Sequence, residues 1–223
     1  MPLFKADFHI HSCYSMDCTT SISDIIRTCQ RKGLNCIALA DHGSIEGALK
    51  IQDLAPFKVI IAEEILTTNV EIIGMFLTRK VPSGLSMEES IRLIKEQGGL
   101  LCAQHPYDKI RPDSLKSEVM DRIAPEIDLV EVFNARNPLR NSSVLAAKFA
   151  LEHDLPGCAG SDAHSAYEIG NAYIEMPEFK GKEDFLQALR KGKIIGRRTG
   201  PIGRLSGFVA RLKKNSARPS KPG

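Results

Sequence analysis

Leu3-Phe-Lys-Ala-Asp7-Phe-His9-Ile-His11 is the stretch that decides the fold. Its apolar residues predict a buried strand over Leu3–Ile10, and that strand ends in two histidines. Because His9 and His11 are two residues apart, both imidazoles lie on one face of the strand, and Asp7 shares that face and could orient a ligand. Two histidines at a strand end are by themselves a moderate signal for a metal site, since half-exposed structural histidines give the same pattern.

The chain continues with alternating strands and helices. Further apolar runs predict strands over residues 35–40, 58–65, 71–77, 99–103, 129–133, 157–161 and 172–175. Ser21 and Ser86 each precede an acidic residue by three positions, which predicts helices that end near Gly33 and Gly98. Residues 141–153 and 182–191 also have a helical pattern. Most of the strands are nearly continuous apolar runs, which is typical of parallel strands covered on both faces. We therefore predict a single-domain α/β protein closed into a TIM-like barrel.

Polar side chains lie at the carboxyl ends of six predicted strands. Five of the six histidines lie at predicted strand ends, and only His153 lies in a predicted helix, where we expect a surface or packing role. In a β/α barrel the carboxyl ends of the strands converge on one face. The sequence therefore predicts one metal site at that face, built from side chains that follow six strands: His9, His11, Asp41, His42, Glu63 or Glu64, His105, Glu131, Asn134, Asp162 and His164.

The mixture of ligand types indicates more than one ion. Imidazoles alone would suit a single zinc ion, but the carboxylates Asp17, Asp41, Glu64 and Asp162 accompany them. A carboxylate can bridge two cations, so we expect two to three divalent ions, and this donor set accepts Mn, Zn or Fe. Such a cluster suits the hydrolysis of phosphate esters. The sequence has no nucleophile elbow, Walker loop or G-x-G-x-x-G, which argues against covalent acyl transfer and nucleoside-triphosphate chemistry.

Taken in order, the motifs resemble a known family. Asp7-Phe-His-Ile-His-Ser12, Ala40-Asp-His42, Glu64, His105-Pro106 and Gly160-Ser-Asp-Ala-His164 are similar to the four motifs of the PHP (polymerase and histidinol phosphatase) domain. The resemblance spans residues 7–164. It implies a distorted (β/α)7 barrel with a trinuclear metal site and phosphoesterase chemistry.

The resemblance also implies a ligand set. The first ion would be held by His9, His11, Glu64 and Asp162, the second by Glu64 and His105, and the third by Asp17, His42 and His164. Glu63 competes with Glu64, and the family's Glu-Ile-x-Thr pattern favours Glu64. Some relatives supply a further histidine to the second ion. Here Glu131, Asn134 or a water has to fill that position.

Fewer residues are predicted to act in catalysis or substrate binding than in metal binding. We expect Asp41, Asp162 and His164 to take part in the reaction. Arg136 and Arg140 follow the strand from Leu129 and could bind a phosphate through paired hydrogen bonds, although two solvated loop arginines would explain them equally well. Arg197 and Arg198 form a second candidate pair with weaker support.

Charge narrows the range of partners. The net charge of the 223 residues is +3, but residues 211–223 carry five of the 30 basic residues and no acid. The predicted barrel, residues 1–210, is therefore slightly acidic, which argues against a broad nucleic-acid interface. We expect the basic tail at 211–223 to be disordered. The chain has no predicted membrane span, and its first residues lack a signal peptide's apolar stretch, so we expect a cytoplasmic protein.

Three functions fit the sequence to different degrees. The leading interpretation is a phosphoesterase that acts on a small phosphorylated molecule, such as histidinol phosphate or a nucleotide. The alternative is an exonuclease or phosphodiesterase that acts on nucleic acid or cyclic nucleotides. A third interpretation, in which the ions are structural, is disfavoured because structural zinc sites close with four ligands and this set is larger. The oligomeric state is left open.

Overall fold

The computed structural model describes residues 3–200 together with Ala210 and Lys214. A nine-stranded sheet forms its centre, in the order β7-β6-β5-β4-β3-β2-β1-β8-β9. The strands are β1 Leu3–Ile10, β2 Cys36–His42, β3 Lys58–Leu66, β4 Glu71–Met75, β5 Leu100–Ala103, β6 Leu129–Asn134, β7 Gly157–Gly160, β8 Ala172–Pro177 and β9 Lys193–Gly196.

The sheet curls until its ends approach each other. The backbone N–H of His11 donates to the carbonyl of Ala163 at 3.0 Å, and the N–H of Asp162 donates to the carbonyl of His9 at 2.7 Å. These bonds join the end of β1 to the segment that follows β7, so the sheet forms a nearly closed barrel. The predicted TIM-like α/β barrel is confirmed.

Strand direction is more mixed than the sequence suggested. Neighbouring strands are parallel within β1–β3 and within β5–β7. β4 is antiparallel to both of its neighbours, and β8 is antiparallel to β1 and to β9. A tight turn after β3 reverses the chain, with the N–H of Thr67 donating to the carbonyl of Val70 at 3.0 Å. The expectation of parallel strands is therefore wrong for β4 and β8, because an apolar run reports burial and not direction.

Six helices surround the described part of the barrel: α1 Ile22–Lys32, α2 Glu46–Leu54, α3 Met87–Glu96, α4 Ser117–Ile123, α5 Arg140–Glu152 and α6 Lys182–Arg190. None of these described helices is both long and apolar enough to span a membrane. The predicted capping serines are in place, since the hydroxyls of Ser21 and Ser86 accept from the N–H groups of Asp24 and Glu89, each at 3.1 Å. α1 ends at Gly33, whose φ of 70° is the left-handed conformation that glycine tolerates best.

Apolar side chains fill the barrel beneath the predicted site. The phenyl ring of Phe8 on β1 meets that of Phe185 on α6 edge to face at 5.4 Å, and both side chains are buried. Burial of each ring contributes roughly 1.5–3 kcal/mol to stability. This layer supports the strands from which the polar residues project. Of the predicted basic tail, residues 211–223, only Lys214 is described, so the prediction of disorder lies outside the described residues.

Candidate metal centre

Glu64 lies at the middle of a buried cluster of histidines. Its Oε2 is 3.3 Å from Nε2 of His9, 3.1 Å from Nε2 of His11 and 3.6 Å from Nδ1 of His42. Its Oε1 is 3.3 Å from Nε2 of His105. The side chain projects from the end of β3, where the parallel strands β1 and β2 also deliver their histidines. One carboxylate thus contacts four imidazoles.

Asp162 contributes a second buried carboxylate to this cluster. Its Oδ1 is 3.6 Å from Nε2 of His11 and 3.9 Å from Nε2 of His9, and its Oδ2 contacts the guanidinium of Arg111. Asp162 has a φ of 53°, which is uncommon for a residue other than glycine. Backbone strain held in place by surrounding bonds is typical of functional sites. We call His9, Glu64, His105 and Asp162 the carboxylate side of the centre.

Asp17 gathers the remaining histidines. Its Oδ2 is 3.1 Å from Nε2 of His164 and 3.4 Å from Nε2 of His42. Asp17 lies in the loop between β1 and α1, where the hydroxyl of Ser15 donates to its Oδ1 at 2.8 Å. We call Asp17, His42 and His164 the imidazole side. His11 lies between the two sides, with its ring centroid 4.2 Å from that of His164.

The donor atoms of these side chains converge closely enough to share ions. In each of three groups, the ligand atoms all lie within 4.8 Å of one another: His9, His11 and Glu64; His11, Asp17, His42 and His164; and His42, Glu64 and Glu71. Asp162 Oδ1 is buried without a hydrogen-bond partner among the described residues. Imidazole nitrogens and carboxylate oxygens together suit Zn, Mn or Fe. The residues therefore fit divalent metal ions.

Three carboxylates and one histidine have protonation states that suit a metal, whereas the buried carboxylates beside them raise the pKa of His9, His11 and His42. Burial by itself disfavours ionised carboxyls, but the charges of Arg111 and His9 hold the pKa of Asp162 well below its usual range. The surrounding histidines lower the pKa of Glu64 and of Asp17 in the same way. Burial and the charge of His11 lower the pKa of His164 to about 4. Ionised carboxylates and a neutral imidazole are the forms that bind metal ions.

Glu131 holds two of the histidines in position. Its Oε1 is 3.0 Å from Nδ1 of His9, and its Oε2 accepts from the backbone N–H of His105 at 2.8 Å. The side-chain amide of Asn134 donates to Oε2 of Glu131 at 3.0 Å and to Oδ2 of Asp162 at 3.2 Å. The sequence left Glu131, Asn134 or a water as the missing ligand. Here Glu131 and Asn134 orient ligands from behind, the arrangement that fixes imidazole tautomers in metal sites.

The structure also separates the two competing glutamates. Glu64 enters the cluster, whereas the Oε2 of Glu63 accepts from the N–H of Val81 at 2.8 Å on the other face of β3. Strand alternation sends the two side chains in opposite directions.

Two aspartates near the centre hold backbone segments. Asp41 accepts from both the N–H and the hydroxyl of Ser12 at 2.6 Å, so its carboxylate fixes the segment after His11 and joins none of the three ligand groups. Asp7 accepts from the N–H groups of Ser161 and Gly170, both at 2.9 Å. The carboxylates of Asp41 and Asp7 therefore act on the chain around the ligands.

The arginines singled out from the sequence lie at the edge of this region. Nη1 of Arg136 is 3.3 Å from Oε1 of Glu168, whose Oε2 accepts from the N–H of His164 at 3.2 Å. Arg140 is the exposed first residue of α5. Arg197 donates to the side-chain oxygen of Asn171 at 3.1 Å. Arg198 stacks on the ring of Phe133 at 5.2 Å.

Three residues of the site were not identified from the sequence. The guanidinium of Arg111 contacts Asp162, and its Nη1 is 3.3 Å from Nε2 of His105. The Oε1 of Glu71 is 3.6 Å from Nδ1 of His42, and burial and the nearby Glu64 raise the pKa of Glu71 to about 9. The side-chain amide of Gln104 donates to Glu64. Gln104 immediately precedes His105, so its position at a strand end was the one available signal.

Comparison with known proteins identifies the family of this chain. A family model for the PHP domain matches residues 7–100, and a model for a PHP-associated region matches residues 144–194. An uncharacterized protein of Methanocaldococcus jannaschii is 40% identical over 144 residues, which cover 59% of this chain and 82% of that protein. A second uncharacterized protein of the same organism is 32% identical over 197 residues, which cover 83% of this chain and 79% of that protein. The chain belongs to the PHP family. The resemblance inferred from the motifs is confirmed.

A solved structure shares the fold of this PHP protein. It is a two-domain protein of Bacteroides vulgatus, described as containing a predicted PHP-like metal-dependent phosphoesterase. The TM-score is 0.73 at 19% identity, over 94% of this chain and 70% of the other. At this identity the likeness concerns the PHP barrel alone.

Proposed function

We propose that this PHP protein is a metal-dependent phosphoesterase that hydrolyses a small phosphate monoester. The observation that carries the proposal is Glu64, one buried carboxylate in contact with four imidazoles and flanked by Asp162 and Asp17. We propose two to three divalent ions, Mn, Zn or Fe, on the ligands His9, His11, Asp17, His42, Glu64, His105, Asp162 and His164. When bound, such ions lower the pKa of a coordinated water and neutralise phosphate charge.

The chain's own groups would position the ester. Arg111 lies against Asp162 with a side chain that is 25% exposed, so its guanidinium can reach both the ligands and a bound phosphate. Asp162 and His164 stay our candidates for residues in contact with the reacting atoms. A part for Asp41 in the reaction stays a prediction, and in the structure its carboxylate accepts from Ser12. Arg136 and Arg140 as phosphate ligands stay predictions, with Arg140 the more exposed of the two.

The reaction is a simple exchange of bonds. The oxygen of a water forms a bond to phosphorus, and the bond from phosphorus to the alcohol oxygen breaks. One proton of that water leaves, and the departing alcohol oxygen takes up a proton. Two products result, an alcohol and inorganic phosphate.

The test begins with metal content and then measures hydrolysis. Protein purified without chelator should contain two to three equivalents of Mn, Fe or Zn by plasma mass spectrometry. It should release phosphate from monoesters faster than it cleaves single-stranded oligonucleotides or cyclic nucleotides. A metal content near zero that added ions cannot raise would overturn the proposal. Preferred cleavage of oligonucleotides or cyclic nucleotides would instead support a nuclease or phosphodiesterase.

A further inference from the structure

A cavity of about 570 Å³ lies beside the metal centre. It lies between the segment that follows β5 and one face of α5, and its walls include Tyr107, Arg111, Lys116, Leu145, Phe149 and His153. This volume is within the range of ordinary small-molecule sites. Neither the sequence motifs nor the proposed metal chemistry accounts for it.

Arg111 connects the cavity to the metal centre. Its side chain lines the cavity, while its guanidinium contacts Asp162 and lies 3.3 Å from Nε2 of His105. The side chains of Glu64, His105 and Asp162 are fully buried. A phosphate could approach ions held there, but the organic part of an ester has no room among these ligands. The organic part of the ester would instead extend past Arg111 into the cavity.

The cavity wall suits a flat apolar group. The ring of Phe149 stacks on His153 with centroids 4.2 Å apart, and the ring of Tyr107 lies 6.5 Å from that of Phe149. Burial and the nearby acids Asp121 and Glu152 raise the pKa of Tyr107 to about 12, so its hydroxyl keeps its proton and can donate a hydrogen bond. Aromatic walls of this kind favour stacked or edge-on contact with a ring.

Charge at the cavity fits an anionic substrate. Four basic residues line it, Lys109, Arg111, Lys116 and Lys148, against three acidic ones, Asp108, Asp121 and Glu152, so the lining keeps a small excess of positive charge. Lys148 lies 3.6 Å from Glu152, so part of its charge is balanced. Lysines around a cleft raise the local concentration of anions such as phosphate esters.

We propose that this cavity binds the alcohol portion of the substrate, and that this portion carries an aromatic or similarly flat apolar group. The inference rests on the proposed phosphoesterase activity. The phosphate would lie at Arg111 and the metal ligands, and the ring would lie against Tyr107 and Leu145, which are only half-buried.

The kinetic test fills the cavity and compares two substrates. Leu145→Trp places a large ring in the cavity, and Leu151→Trp is the matched control, because Leu151 lies on the same helix but is 83% exposed. We expect Leu145→Trp to lower kcat/KM for 2-naphthyl phosphate by at least about tenfold and to change that for methyl phosphate less than about twofold. Each substrate is compared with itself across the variants, so intrinsic differences in reactivity cancel. Leu151→Trp should change neither value.

A binding measurement separates this inference from the proposed function. Calorimetry with the metal-loaded protein and 2-naphthol, which has no phosphate, should show binding to the wild type and to Leu151→Trp, and at least about tenfold weaker binding to Leu145→Trp. Equal binding to all three proteins, or an equal effect of Leu145→Trp on both esters, would overturn the inference. A third outcome is that Leu145→Trp loses naphthol binding while the wild type hydrolyses none of the esters. That outcome would overturn the proposed phosphoesterase activity but would still support the cavity as a binding site. If Leu145→Trp melts at a lower temperature than the control, the smaller Leu145→Phe repeats the test.

Discussion

The carboxylate side and the imidazole side of the metal centre differ in charge and in support. Glu64 and Asp162 on the carboxylate side are fully buried, and Arg111 and Glu131 contact that side. On the imidazole side, Asp17 is the carboxylate between two histidines, it projects from a loop, and its side chain is 10% exposed. A buried ligand with several fixed neighbours is better preorganised than a ligand on a loop. The imidazole side should therefore release its ion more readily.

The largest effect should come from Glu64, which contacts histidines of both sides. Glu64→Gln keeps the shape of the side chain but removes its charge. Loss of a residue that only hydrogen-bonds a metal ligand usually lowers activity roughly 10- to 100-fold, and we expect Glu64→Gln to lower the rate of phosphate release by more than that. The content of metal should fall by more than one equivalent, because this carboxylate contacts histidines of both sides. Plasma mass spectrometry and phosphate release measure the two effects.

Glu63→Gln is the matched control for this variant. It makes the same chemical change one residue earlier, where the side chain faces Val81. Its metal content and activity should stay close to those of the wild type. If both variants lose metal equally, Glu64 has no special place in the centre.

Asp17→Asn should affect one side alone. Asp17→Asn removes the carboxylate between His42 and His164. The affinity for one ion should fall at least about 100-fold, which is more than the loss of a residue that only hydrogen-bonds a ligand causes, and the other ions should stay bound. The variant should therefore lose one equivalent of metal in the presence of a weak chelator. Loss of all the metal would show that the two sides bind ions as a single unit.

The histidines were predictable because of strand direction. The carboxyl ends of parallel strands meet at one edge, so apolar runs that end in His9, His42 and His105 identify a shared site without knowledge of the strand order. Glu71 was missed for the converse reason. It begins an antiparallel strand and pairs with Leu66 at the end of β3, so the start of β4 lies at the same edge as the ends of its neighbours.

Local signals explain which other parts of the chain were missed. α1 and α3 were predicted from capping serines, whereas α2 and α4 begin after Ile45 and Lys116, which make no side-chain cap bond. Arg111 lies in the segment between β5 and α4, where no periodic pattern places a side chain. Its contact with Asp162 depends on tertiary structure that brings together residues 51 positions apart.

Glu131 provides a smaller test of the support on the carboxylate side. Glu131→Gln keeps an oxygen near the N–H of His105 but removes the charge beside Nδ1 of His9. We expect metal affinity to fall roughly 10- to 100-fold, the usual cost of losing such a partner. Titration against a chelating dye measures this affinity. An unchanged affinity in Glu131→Gln would mean that the protein matrix alone orients His9.

The smallest predicted effect has the opposite sign. Arg111 places a positive charge against Asp162, where it opposes a bound cation, so Arg111→Gln should raise metal affinity by about three- to tenfold. The same change should raise KM for a phosphate ester about tenfold, because a charge-assisted bond to the phosphate is lost. If Arg111→Gln simply disrupted the site, the binding of metal and the binding of the phosphate ester would both become weaker. Arg122→Gln, which removes a guanidinium 3.5 Å from Glu88 on the outer surface, controls for net charge and should change neither. Weaker metal binding in Arg111→Gln would mean that this arginine supports the ligands and does not compete with the ion.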